Sequence, residues 1–155
     1  MYRVTANFYD DFFIYKDDVL FMTAKRKYIW FAGVRINVFF QNDDKLKLTY
    51  RYFSFFLTMI KIKYQNLPKK IIRPKASWKG LYFKVNNHKI YCKFNSLPQK
   101  RMGKIEIDNV EVAKIINKKI FGSDLEFEIE FNKKNELEMY CILSFLMNIS
   151  VIESL

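Results

Sequence analysis

The chain has 155 residues, 50% of them hydrophobic and 18% aromatic, and 27 Lys/Arg against 16 Asp/Glu give it a formal net charge of +11. This length suits one domain with a single core, and so much apolar side chain excludes global disorder. A single histidine excludes a histidine metal cluster, and the four glycines form neither a P-loop nor a dinucleotide fingerprint.

Residues 1–8 show no apolar h-region and no cleavage site, so no secretory signal is expected and the cytoplasm is the default compartment. Aromatic and β-branched residues then predict strands over 12–15, 19–23 and 34–40, with turns at 16–18 and 42–44. The adjacent carboxylates Asp10-Asp11, Asp17-Asp18 and Asp43-Asp44 read as turn chemistry and lack calcium-loop spacing. Alternation predicts strands over 45–52 and 59–64; in the second, Ile60 and Ile62 face inward while Lys61 and Lys63 face out. Residues 66–77 form the one stretch that reads as a linker, with Pro68 and Pro74 bracketing Lys69, Lys70 and Arg73. Leu81, Phe83 and Val85 lead into Asn86-Asn87, and Ile90, Cys92 and Phe94 follow. That is a hairpin pattern, because asparagine tolerates positive φ. Residues 104–112 repeat it with Asp108-Asn109 at the turn. After a break at Gly122-Ser123-Asp124, residues 125–131 place Leu125, Phe127, Ile129 and Phe131 on one face and three glutamates on the other.

Residues 135–152 predict a helix that is apolar around nearly its whole circumference; Cys141, Ser144 and Asn148 make its one narrow stripe of small or polar side chains. Such a helix must be surrounded. It is shorter than the run of about 20 apolar residues that spans a bilayer. A buried core helix is therefore expected and no transmembrane segment. Asn135 is a favourable N-cap, with Glu138 three residues on to complete a capping box. Cys92 and Cys141 fall on a strand and on this helix and read as buried thiols.

The strands divide into two similar groups, over about 1–65 and about 78–132, whose matching turns lie about 65–70 residues apart. The expected fold is α+β, mainly β, in one domain over 1–155. Two halves would form a closed antiparallel β-barrel of about 11–12 strands, which removes exposed edges and encloses the helix.

The segment Gly103-Lys-Ile-Glu-Ile-Asp-Asn-Val-Glu-Val-Ala-Lys-Ile115, the strand 125–131 and the helix 136–152 together resemble the tubby C-terminal domain and its relatives. Those relatives include the LURP-one-related proteins and the phospholipid scramblases. The resemblance rests on the order of elements along most of the chain. It implies a helix-filled barrel and suggests an anionic lipid headgroup as ligand. No Lys/Arg pair here matches the phosphoinositide contacts of tubby, and no segment matches the scramblase calcium site.

Charge is segregated. Residues 1–60 hold nine Lys/Arg and six Asp/Glu, residues 61–104 hold thirteen and none, and residues 105–155 hold five and ten. Codons rich in A and T would inflate lysine everywhere, but they would not empty one stretch of carboxylates. This asymmetry points to an anionic partner for the middle of the chain. The candidate site comprises Lys61, Lys63, Lys69, Lys70, Arg73 and Lys75, with Lys100, Arg101 and Lys104 in the corresponding loop of the second half. Trp78, Tyr82 and Tyr91 are placed among these charges, and the aromatic run 52–56 reads as a buried strand, with insertion into a membrane interface as the alternative. An anionic membrane surface ranks first as partner, then a protein partner for an adaptor or inhibitor, then non-specific nucleic acid. No RNP, KH or helix-turn-helix pattern supports the last. His88, beside a turn, reads as solvated. No catalytic residue, metal ligand or cofactor is expected, and a non-enzymatic, cytoplasmic or peripheral membrane protein is the reading.

Overall fold

The computed structural model describes residues 1–7, 11–29, 33–40, 43–54, 57–77, 80–94, 102–119 and 124–152. Twelve strands and a helix are present among them. The first six strands are β1 (Tyr2–Asn7), β2 (Phe12–Lys16), β3 (Val19–Ile29), β4 (Gly33–Phe40), β5 (Asp43–Ser54) and β6 (Leu57–Gln65). The next six are β7 (Ile71–Ser77), β8 (Gly80–Val85), β9 (His88–Phe94), β10 (Gly103–Ile107), β11 (Val110–Asn117) and β12 (Asp124–Phe131). Helix α1 (Glu138–Ile152) ends the described chain.

All twelve strands join one antiparallel sheet in the order β6-β5-β4-β3-β2-β1-β12-β11-β10-β9-β8-β7. Each run of six is thus a meander, and β1 joins the two by pairing with β12 from Tyr2↔Ile129 to Asn7↔Asp124. Local chemistry sets the reversals. Asp17 and Asp18 hold φ of 49° and 63°, and Asp108 and Asn109 hold 50° and 70°, the pairs of positive values that a two-residue hairpin loop demands. Asn86, at 54°, opens the β8–β9 turn.

The expected closed barrel does not form. The sheet has two ends, β6 and β7, and among the described residues no backbone ladder joins them. Strand β7 explains why. Its pairing with β8 slips between Ile72 and Lys75, so Arg73 and Pro74 bulge out of the ladder. Proline has no N–H to give a neighbour, and a bulge, a proline and lysines are the features that blunt a strand edge. Residues 71–77, which the sequence reads as linker, are therefore an edge strand.

The core still unites both meanders. Inward side chains from β1–β4 and β7–β12, among them Val4, Phe12, Ile36, Phe83, Ile105 and Phe127, form one buried cluster with α1. Every residue of α1 from Tyr140 to Ile149 is buried. The polar stripe of the helix turns toward β9, where Asn148 Nδ2 donates to the Cys92 carbonyl at 3.0 Å. Cys92 and Cys141 are both free and fully buried. The expected capping box is present: Asn135 Oδ1 accepts the Leu137 N–H at 2.8 Å, and Glu138 Oε1 accepts the Asn135 N–H at 3.2 Å. No helix among the described residues is long and apolar enough to cross a membrane.

Candidate anionic-surface site

Six of the nine expected cations converge on the two end strands and the connection between them. On β6, alternation turns Ile60 and Ile62 onto the core and leaves Lys61 and Lys63 exposed. On β7, Ile71 is buried while Ile72, Arg73 and Lys75 are exposed. Arg73 stands at the bulge with φ 51°, a left-handed backbone that costs an L-residue about 1–2 kcal/mol. Residues 66–70 join the strands and carry Lys69 and Lys70.

This connection is anchored from below. The side-chain amide of Gln65 substitutes for a strand partner: its Oε1 accepts the Ile71 N–H at 2.8 Å and its Nε2 donates to the Ile71 carbonyl at 3.2 Å. Leu67 packs against the core. Tyr140, on the buried helix, donates its hydroxyl proton to the Lys69 carbonyl at 2.8 Å and accepts the Lys69 N–H at 2.7 Å. Burial raises the Tyr140 pKa, against the hydrogen bond from Lys69, so the hydroxyl keeps its proton.

Among the described residues, Lys61, Lys63, Lys70, Arg73 and Lys75 have no carboxylate at ion-pairing distance. Lys69 has one distant partner, Glu136 at 3.7 Å, whose side chain is 91% exposed. Such a contact is weak in water. Tyr64 and Ile72, each 44% exposed, add apolar surface to the same two strands.

The remaining expected residues behave differently. Lys104 lies on β10 and is committed to carboxylates, Glu106 at 2.9 Å and Glu111 at 3.8 Å. Lys93 from β9 takes the other oxygen of Glu106. Burial pushes the Glu106 carboxyl up, but hydrogen bonds from Lys93 and Lys104 outweigh it and hold the carboxyl below its ordinary range. Tyr82 and Tyr91 do lie among charges, edge to face with centroids 6.0 Å apart on the outer side of β8 and β9. Their faces are already covered: Lys89 Nζ sits 4.5 Å from the Tyr82 ring and Lys93 Nζ 4.6 Å from the Tyr91 ring. Lys100, Arg101, Trp78 and the side chains of 52–56 lie outside the described residues.

Other groups considered in the sequence hold structural positions. His88 Nδ1 lies 2.7 Å from Asp108 Oδ2, and Asp108 Oδ1 accepts the Lys89 N–H at 2.8 Å, so two hairpin turns are clasped together. That N–H, with His88 second, draws the Asp108 carboxyl below its usual range. Burial pushes the Cys92 thiol up to about 12 and raises that of Cys141 as well, the opposite of an activated nucleophile. A separate cavity of about 330 Å³ at the N-terminal end of α1 is lined by Met1, Tyr2, Lys16, Asp17, Phe131, Lys134 and Glu138. Its Tyr2 hydroxyl, Lys16 and Glu138 bond to one another, at 2.9 Å and 3.3 Å from the carboxylate.

Nothing in the local sequence marks Tyr140 or Gln65 as parts of the site. A tyrosine in an apolar helix reads as core, and only the fold shows where its hydroxyl goes. The engagement of Lys93 by Glu106 was equally hidden, because cross-strand register brings them together, whereas Lys104 and Glu106 share one face of β10 two residues apart.

Comparison with protein-family models, with curated proteins and with solved structures finds no match to this chain.

Proposed function

We propose that this chain is a non-catalytic binding protein that docks peripherally on anionic phospholipid headgroups through the β6–β7 rim. The observation that carries this reading is the set of five cations there that lack a carboxylate partner among the described residues, beside an exposed tyrosine and isoleucine. Exposed lysines recruit an acidic bilayer at about 1 kcal/mol per basic residue held near it, and amphipathic or apolar side chains favour its interface. The left-handed backbone at Arg73 adds support. Strain of that kind on an exposed edge is retained where the presented side chain has a use.

The kinship with tubby-like domains belongs to this proposal. Two runs of strands followed by a buried C-terminal helix support it, while the open sheet departs from the closed barrel that family implies.

Co-sedimentation with vesicles of phosphatidylcholine alone, or of equal parts phosphatidylcholine and phosphatidylserine, tests the reading. Binding only to the acidic vesicles, weakened by salt and lost in the triple variant Lys69→Glu, Lys70→Glu, Arg73→Glu, is the expected result. Indifference of the unaltered chain to both vesicles sinks the lipid reading. A gel shift on single-stranded RNA under those conditions would move the assignment to nucleic acid, and its absence would leave a protein partner.

A further inference from the structure

We infer that Tyr140 is a positioning residue for the lipid-docking rim: through its hydroxyl the buried helix fixes how Lys69 and Lys70 are presented. The inference rests on the lipid reading and deepens it.

A five-residue connection bearing two lysines would ordinarily sample many conformations, and its ordering would be charged to each binding event. Here that ordering is built in. The Gln65 amide closes the base of the connection against Ile71, Leu67 packs against the core, and Tyr140 grips the Lys69 backbone by both its N–H and its carbonyl. Pro68 fixes one more dihedral between these anchors. Only side chains are left to settle when the rim meets a surface.

The grip also has a cost that packing alone does not demand. Tyr140 is 2% exposed, and a phenylalanine would fill the same space without a hydroxyl that must be satisfied. The hydroxyl is satisfied by the backbone of one residue, Lys69, and that residue carries a candidate ligand-binding side chain.

The test is Tyr140→Phe, compared with Ile142→Val as a control in the same buried helix. In the unaltered chain the Lys69 amide should exchange slowly with solvent although its loop is at the surface. In Tyr140→Phe that protection should vanish while the amides of residues 141–149 stay protected. Affinity for the equal-parts phosphatidylserine vesicles should fall about three- to tenfold, the scale of ordering restored to a few side chains. Net charge is unchanged, so a loss of affinity cannot come from the charge count. The control should bind as the unaltered chain does. Gln65→Leu, which removes the second grip, should shift affinity in the same direction.

Fast exchange of the Lys69 amide in the unaltered chain overturns the inference at once. So does full affinity of a folded Tyr140→Phe, and in that case the lipid reading survives if the triple charge reversal still abolishes binding. Failure of the unaltered chain to bind acidic vesicles overturns both.

Discussion

Leu146→Asp tests whether α1 is the structural centre of the domain. Leu146 is 1% exposed, and its neighbours on the helix are buried on every side. Removing the leucine forfeits about 1.5–3 kcal/mol of apolar burial. The introduced carboxyl adds a second cost. To stay neutral at pH 7 in such surroundings its pKa must rise by about three units, and each unit is about 1.4 kcal/mol. The sum is roughly 6–7 kcal/mol, against a total stability of about 5–15 kcal/mol for a domain of this size. The second cost depends on pH. A carboxyl whose folded pKa is raised destabilises above its unfolded pKa, and the penalty fades as pH falls toward it. Urea unfolding followed by circular dichroism at pH 7 and pH 4.5 measures both parts. The variant should lose about 6–7 kcal/mol at pH 7, enough to unfold a domain at the lower end of that range, and regain stability relative to the unaltered chain at pH 4.5, while Leu146→Asn should show no such recovery. A variant that unfolds at the same urea concentration as the unaltered chain at pH 7 would refute the burial argument.

Gly80 and Glu106 supply two further tests. Gly80 holds φ 131°, and a Cβ there would lie 2.3 Å from the Cys92 carbonyl oxygen, so Gly80→Ala should destabilise by about 3 kcal/mol or more through backbone strain and a forced shift of β8 against β9. An unchanged thermal midpoint would refute it. Glu106 is 5% exposed with two lysines on its carboxylate, and Glu106→Gln should cost about 1–3 kcal/mol at neutral pH. Because the folded pKa is lowered, the gap between the two proteins should be present above the unfolded carboxylate value and close as pH falls through the folded one. A gap that does not change from neutral pH to pH 3 would remove the ion network as its cause.

Legibility in the sequence followed the range of the interactions involved. Local chemistry could be read directly. Asn135 and Glu138 form the capping box that their spacing implies, Asp17-Asp18 and Asp108-Asn109 take the backbone that hairpins need, and alternation at 59–64 and 125–131 gives strands with the expected inward faces. Strand β7 escaped because its bulge and Pro74 break the alternation by which strands are recognised. Closure escaped for a different reason. Whether the two end strands share a ladder depends on how the whole sheet curls, and the bulge and Pro74 that blunt β7 count against closure only once residues 71–77 are known to be a strand. The nine cations of the candidate site shared one signal, proximity within a carboxylate-free stretch, and that signal cannot separate Lys70 from Lys104.

Strand order makes that separation. Those carboxylates of residues 105–155 that lie in the sheet are on β10, β11 and β12, where an ion pair between strands reaches only a neighbouring strand, while Glu136, just before α1, reaches Lys69 at 3.7 Å. Lys93 on β9 and Lys104 on β10 meet Glu106, and Lys118, just beyond β11, meets Glu128 at 2.7 Å. Strand β7 stands three places from β10, about 14 Å away at the usual strand spacing. That exceeds the screening length of about 8 Å at physiological salt. Strand β6 begins the sheet at the other end. A chain without Asp or Glu from residue 45 to 104 and folded in this order gives its β9 and β10 lysines acidic neighbours and gives those of β7 none on the one strand paired with it, β8. The rim is basic because of where the acidic strands were placed, and moving one carboxylate onto it, as at Lys70, would change its character more than removing any lysine from β9.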